Sequence, residues 1–171
     1  LSNQTELNEF EALNIIEATE WAIKSRIVKN SLLTDKTLRI IHEKMFGKTW
    51  RWAGAYRTTQ KNIGVEPYRI SSEVKILLDD VVFWIDNQTY PPDEIAARFH
   101  HRLVSIHCYP NGNGRHARVA TDLLCRSQDW SLPTWGSGDL VSANSVRQAY
   151  LEALRTADQH DYTPLVAFMC I

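Results

Sequence analysis

An excess of charge of either sign is missing from this sequence. Its formal charge is −1, which gives no global attraction to nucleic acid or to acidic membranes, so any anion-binding function has to come from a local cluster. Cysteine is scarce and unpatterned: Cys108, Cys125 and Cys170 form no CxxC pair and leave an odd thiol. That argues against a disulfide framework or a structural zinc site and fits a reducing compartment, so a cytoplasmic location is expected. No stretch approaches the ~20 apolar residues that span a bilayer. The first residues, Leu1 to Glu6, lack the basic and apolar segments of a signal peptide. Internal repeats, linkers and low-complexity runs are absent as well.

What is present is ordinary globular material, 171 residues at 44% hydrophobic and 23% charged, enough for one core that buries roughly 70% of the unfolded surface. One domain over residues 1–171 is expected, mostly helical, with about six to eight helices and one small β-hairpin. Phe10, Leu13, Ile16, Ile23 and Ile27 recur at helical spacing without proline or glycine between them, which predicts one long helix from about Glu9 to Val28. Thr34 offers an N-cap to a second helix that stops near Gly47. Ser71-Ser72-Glu73 opens a third with Val74, Leu77, Leu78, Val81, Trp84 and Ile85 on its apolar face. Pro91-Pro92-Asp93-Glu94 starts a fourth, with Ile95, Phe99, Leu103 and Ile106 inward. A fifth is expected from about Asn113 to Ser127. Ser142 is expected to cap a sixth, with Val146, Ala149, Tyr150, Ala153, Leu154 and Ala157 inward, and Thr163-Pro164 opens a short last one. Between the second and third helices, β-branched and aromatic residues around Asn62-Ile63-Gly64-Val65 suggest an irregular hairpin.

The chemistry concentrates in His107-Cys108-Tyr109-Pro110-Asn111-Gly112-Asn113-Gly114-Arg115-His116-Ala117-Arg118. Glycine lets a backbone approach a ligand closely, and the first N–H groups of a helix starting after such a turn point at an anion. Arg115 and Arg118 fall on one face at i and i+3, where guanidiniums recognise phosphate oxygens by paired N–H contacts. His107, at the other end of the loop, is placed to take a proton near neutral pH. Taken singly, each feature also has a plain reading as a tight turn or a solvated face; the combination favours a phosphate site with a base beside it. His100-His101 read as packing or surface residues, His116 as surface, and Trp50 and Trp52 as support for the core or the hairpin.

This stretch resembles the signature of the Fic/Doc superfamily, His-x-Phe-x-Asp/Glu-Gly-Asn-Gly-Arg-x-x-Arg, with identity at six of eight specified positions. Tyr109 stands for Phe and Asn111 for the acid. Trp52-Ala53-Gly54 with Arg57 and Lys61-Asn62-Ile63 is similar to the approach to the family's flap, so the likeness covers about residues 33–129. Within the superfamily the chain is most similar to the bacterial mobile mystery protein B group, which carries Asn at the acid position.

The resemblance implies a helical core with a hairpin flap and transfer of AMP from ATP to a Ser, Thr or Tyr hydroxyl of a target protein. It implies His107 as general base, Gly112, Asn113 and Gly114 around the α-phosphate, and Arg115 and Arg118 at the outer phosphates. Asn62, Ile63, Gly64 and Val65 would hold the target segment by main-chain pairing. The family's acid binds Mg²⁺, and at Asn111 a neutral amide gives up that charge, so weaker metal affinity is expected. The alternatives are a Doc-like phosphotransferase, another nucleotide donor, or a weakly active nucleotide- or peptide-binding module. Many relatives are restrained by a helix whose Glu blocks the second arginine, here Arg118; Ser2-Asn3-Gln4-Thr5-Glu6 matches only the spacing of that element, so an antitoxin-like inhibitor protein is an equal expectation. No membrane and no direct nucleic-acid partner is expected.

Overall fold

The computed structural model describes residues 4–140 and 144–170. Among these are eight α-helices and no strand: α1 (Gln4–Lys24), α2 (Arg26–Ser31), α3 (Asp35–Phe46), α4 (Ile70–Asp86), α5 (Pro92–Ile106), α6 (Asn113–Ser127), α7 (Ser145–Ala157) and α8 (Thr163–Met169). At the centre lie α5 and α6. In α5 the proline sits in the first turn with Asp93 and Glu94 near the positive end of the dipole, and Ile95, Phe99, Leu103 and Ile106 are all buried. In α6, Val119, Ala120, Leu123 and Leu124 are buried as the spacing predicts. α4 packs on one side of α5, α3 meets α4 and α6, and α7 and α8 cover the far end. The main apolar core fills the space between α3, α4, α5 and α6, and a second cluster around Ala97, Cys125, Ala153 and Leu165 joins α5 and α6 to α7 and α8.

The N-terminal segment departs from the expectation twice. Ser25 has extended backbone (φ −75°, ψ 123°) and its hydroxyl accepts from the Val28 N–H at 3.4 Å. It therefore ends α1 and caps α2, and the single long helix becomes two. The buried face is also the other one. Leu13 and Ile16 are 62% and 56% exposed, whereas Glu11, Asn14, Ala18 and Ala22 are buried. Small residues four apart let α1 lie close on α3, its main neighbour, and Glu11 ends at the cleft beside the α5–α6 loop. A search for large aliphatic residues finds the outside of such a helix.

The expected β-hairpin does not form. Residues 51–66 run as turns and bends into a short 3₁₀ turn, Pro67–Arg69. The limbs of this flap segment pair with α5's end instead of each other: the Arg57 N–H donates to the Cys108 carbonyl at 2.9 Å and the Val65 N–H to the Ile106 carbonyl at 3.3 Å. Ser142 lies outside the described residues. The cap of α7 is Asn144, whose side chain accepts from the Arg147 N–H at 2.9 Å, and Ala149 is exposed rather than inward.

Candidate active site

His107 ends α5 in the left-handed region (φ 54°, ψ 61°) and donates its N–H to the Val104 carbonyl at 3.1 Å. The chain then turns through a loop fastened from within. Asn113 bridges it: its side-chain carbonyl accepts from the Tyr109 N–H at 2.9 Å and its amide donates to the Tyr109 carbonyl at 2.7 Å. Gly112 is at φ +80°, and a Cβ there would lie 2.6 Å from the Phe46 ring, so both backbone and packing require glycine. Tyr109 is buried and stacks on His42 at 3.6 Å. The His42 Nδ1 accepts from the Gly54 N–H at 3.0 Å, which puts the proton on Nε2, and Nε2 donates to the Asn111 carbonyl at 3.1 Å. Burial, and the neighbouring His116, push His42 down to about 3, so it stays neutral. His116 is itself buried, not on the surface as the sequence suggested: α6 turns it inward, where it donates to the Leu38 carbonyl at 2.8 Å.

With the loop fixed, α6 starts at Asn113 and points its first N–H groups into a cleft of about 470 Å³. The cleft brings together His107, Gly112, Asn113, Gly114, Arg115 and Arg118. Gly114 differs from Gly112, since a Cβ there would meet only the Arg118 guanidinium at 3.7 Å, an ordinary contact. Nothing within the protein demands glycine at that position; the space in front of it is open to a ligand.

The two arginines are not equivalent. Arg115 donates to the Glu11 carboxylate at 2.5 Å and lies over the Phe46 ring at 4.9 Å. Glu11 is 4% exposed and accepts a second bond, from the Trp50 indole, at 3.0 Å. Arg118 sits beside Tyr150 of α7, 5.7 Å from its ring. Glu11 thus brings an acid to the site, and it takes the first arginine of the motif. From α7, Arg147 also lines the cleft.

His107 is half-buried. That burial, and after it the charges of Arg57 and Lys61, hold its pKa below the ordinary imidazole value, leaving a neutral ring able to accept a proton at pH 7. Of the flap residues singled out, Ile63 lines the cleft, and Asn62, Gly64 and Val65 do not; Asn62, Ile63 and Gly64 are exposed. The side-chain carbonyl of Asn111 accepts from the Gly112 N–H at 2.7 Å, so it shapes the turn. Among the described residues no three His, Cys, Asp or Glu side chains gather as metal ligands. Glu11, Arg147 and His42 carried no motif signal; the only hint in sequence was that Glu11 shares a helical face with Asn14, Ala18 and Ala22.

A model of the Fic/DOC family matches residues 32–125. The chain belongs to the Fic/DOC family. The protein adenylyltransferase fic-1 of Caenorhabditis elegans is 30% identical over 124 residues, 68% of this chain and 22% of that protein. The protein adenylyltransferase Fic of Aedes aegypti is 25% identical over 163 residues, 93% of this chain and 31% of that protein. The chain thus spans about a third or less of the length of these two relatives. Among solved structures, Fic-1 (residues 134–508) of C. elegans superposes with a TM-score of 0.68 at 25% identity, covering 91% of this chain and 47% of that one. The ADP-bound N-terminal Fic domain of a Bartonella quintana effector gives 0.72 at 20% identity, covering 99% and 85%, and shares the fold. Among the described residues no helix is long and apolar enough to cross a membrane.

Proposed function

We propose that this chain is a protein adenylyltransferase, one Fic domain over residues 1–171 that transfers AMP from ATP to a Ser, Thr or Tyr hydroxyl of a target protein. The observation that carries the reading is the opening of His107 and the N-terminal turn of α6, with Arg118 at i+5 from Asn113, onto one cleft. In this reading ATP lies with its α-phosphate at the N–H groups of Asn113 and Gly114 and its outer phosphates toward Arg118 and Arg115. His107 takes the proton from the target hydroxyl as its oxygen bonds the α-phosphorus. The bond to the bridging oxygen breaks and pyrophosphate leaves. Positioned base catalysis is worth roughly 10²–10⁴-fold, and preorganised N–H donors and guanidiniums stabilise the charge moving onto the phosphate oxygens. The exposed edge Asn62–Gly64 holds the target segment by main-chain pairing, with Ile63 at the cleft. The names of the curated relatives support the same chemistry.

Mg²⁺ is the group the family implies, and the residues present fit it poorly. Asn111 is neutral and its oxygen is engaged by the Gly112 N–H, while Glu11, the acid nearest the phosphate-binding arginines, is engaged by Arg115 and Trp50. Hard cations favour charged oxygen ligands. No step above runs through a metal. Asn111→Asp is expected to tighten the Mg²⁺ dependence of transfer; an unchanged metal titration curve removes position 111 from any metal site. Placement in the mobile mystery protein B group, with a bacterial setting and an antitoxin-like partner, is supported by Asn111 alone, since the two curated relatives named above are animal proteins.

The test is ATP labelled at one phosphate at a time, incubated with the chain and candidate target proteins. Label from the α position on protein supports AMP transfer. Label from γ supports a Doc-like phosphotransferase, and neither supports a binding module.

A further inference from the structure

Arg57 is 3% exposed, yet its hydrogen bonds go to backbone carbonyls and, among the described residues, to no carboxylate. Its Nε donates to the His107 carbonyl at 2.6 Å, one terminal nitrogen to the Thr59 carbonyl at 3.1 Å, and the other to the carbonyls of Val65 and, at 3.4 Å, Ile106. Two of these acceptors belong to the flap and two to the end of α5. Gly64 completes the joint: at φ +92°, a Cβ there would lie 2.6 Å from both the His107 Cβ and the Arg57 guanidinium. These four carbonyls converge on one guanidinium from two segments that share only two main-chain bonds.

We propose that Arg57 is a positioning residue, a clamp that joins the flap to the His107 backbone so that the base and the target-holding edge are set as one unit. The inference rests on the reading of His107 as the base. Only a planar fork of five N–H groups serves four carbonyls at once; the three donors of a lysine on a flexible stem do not. Because the clamp bonds the His107 carbonyl, it also fixes the left-handed backbone that aims the imidazole into the cleft. Its second effect is electrostatic. The charges acting on the imidazole are Arg57 and Lys61 from the flap, and the charged groups that share its cleft are Arg115 and Arg118 from α6, Arg147 from α7 and Glu11 from α1. Arg57 is first among the charges that disfavour the imidazolium.

The two effects separate in two variants of the full chain. His107 is titrated by NMR, and amide hydrogen exchange is followed at residues 58–65. Arg57→Lys keeps the charge and loses the fork, so His107 titrates near its wild-type position while the Val65 amide exchanges roughly tenfold faster or more, as expected for losing charge-assisted hydrogen bonds. Arg57→Gln loses both, so exchange quickens and the His107 titration moves upward. An unchanged titration in Arg57→Gln, unchanged exchange in Arg57→Lys, or equal acceleration across all helices each overturns the clamp. If titration and exchange move as stated and the wild-type chain transfers no label from ATP, the clamp holds and the adenylyltransferase reading falls.

Discussion

The loop from His107 to Gly114 and the flap from Arg57 to Val65 meet at His107, and they are held with unequal firmness. The loop is closed by its own Asn113, which bonds both polar groups of the Tyr109 backbone, and is backed by α3, where Gly112 seats on Phe46 and a neutral His42 holds the Asn111 carbonyl. The flap has no ladder of its own and is fastened to the end of α5 by its buried Arg57 and two main-chain bonds. A rigid anion cradle suits a nucleotide whose shape is constant. A lightly fastened edge suits a protein segment that has to arrive and leave.

The contrast can be broken first at Gly112. Replacing it with Ala forces a positive φ on an L-residue and drives a Cβ into Phe46, a cost of about 2–4 kcal/mol, read as a lower midpoint in denaturant with unchanged slope. Acid attacks the buried histidines, of which His42 and His116 pack against Tyr109 in the loop. His42 and His100 are held down to about 3 and His116 to about 4, chiefly by burial. The unfolded chain protonates these rings near 6.5 while the folded one does not, so stability falls as pH drops from about 6.5 toward 4; urea midpoints across that range measure it. Histidine-to-glutamine substitution at one of these buried sites would flatten the slope by about one proton.

Smaller effects sharpen the comparison. Gly114→Ala is expected to gain a few tenths to about 1 kcal/mol in helix propensity, yet to weaken ATP binding about tenfold, because the methyl group enters the space where backbone N–H groups meet the phosphate; thermal melts and calorimetric titration read the two effects separately. On the flap, Ile63 is 63% exposed. Ile63→Ala should therefore leave stability within about 0.5 kcal/mol and lower the rate of target modification without changing ATP affinity.

How much of this was legible in sequence follows from the same contrast. Elements whose apolar residues are large and periodic, α3 to α6, appear at the expected places, because burial there coincides with the pattern. The loop's turn into α6 was readable because glycine and asparagine at that spacing favour a tight turn before a helix. In α1 the pattern misled, since close approach to α3 selects Ala18 and Ala22 and turns Leu13 and Ile16 outward. The flap looked like a hairpin because its β-branched and aromatic residues carry that propensity, whereas its hydrogen bonds go to α5. Glu11 was invisible because its partners, Arg115 and Trp50, lie 104 and 39 residues away.

The central claim is that His107 is the base of a nucleotide site, and the most direct measurement compares the chain with its His107→Ala form, using α-labelled ATP and measuring ATP binding in parallel. The account predicts labelled target with the wild type, loss of label by 10²-fold or more (~10²–10⁴) with His107→Ala, and ATP affinity changed little between the two. Label of equal strength from both forms would contradict it.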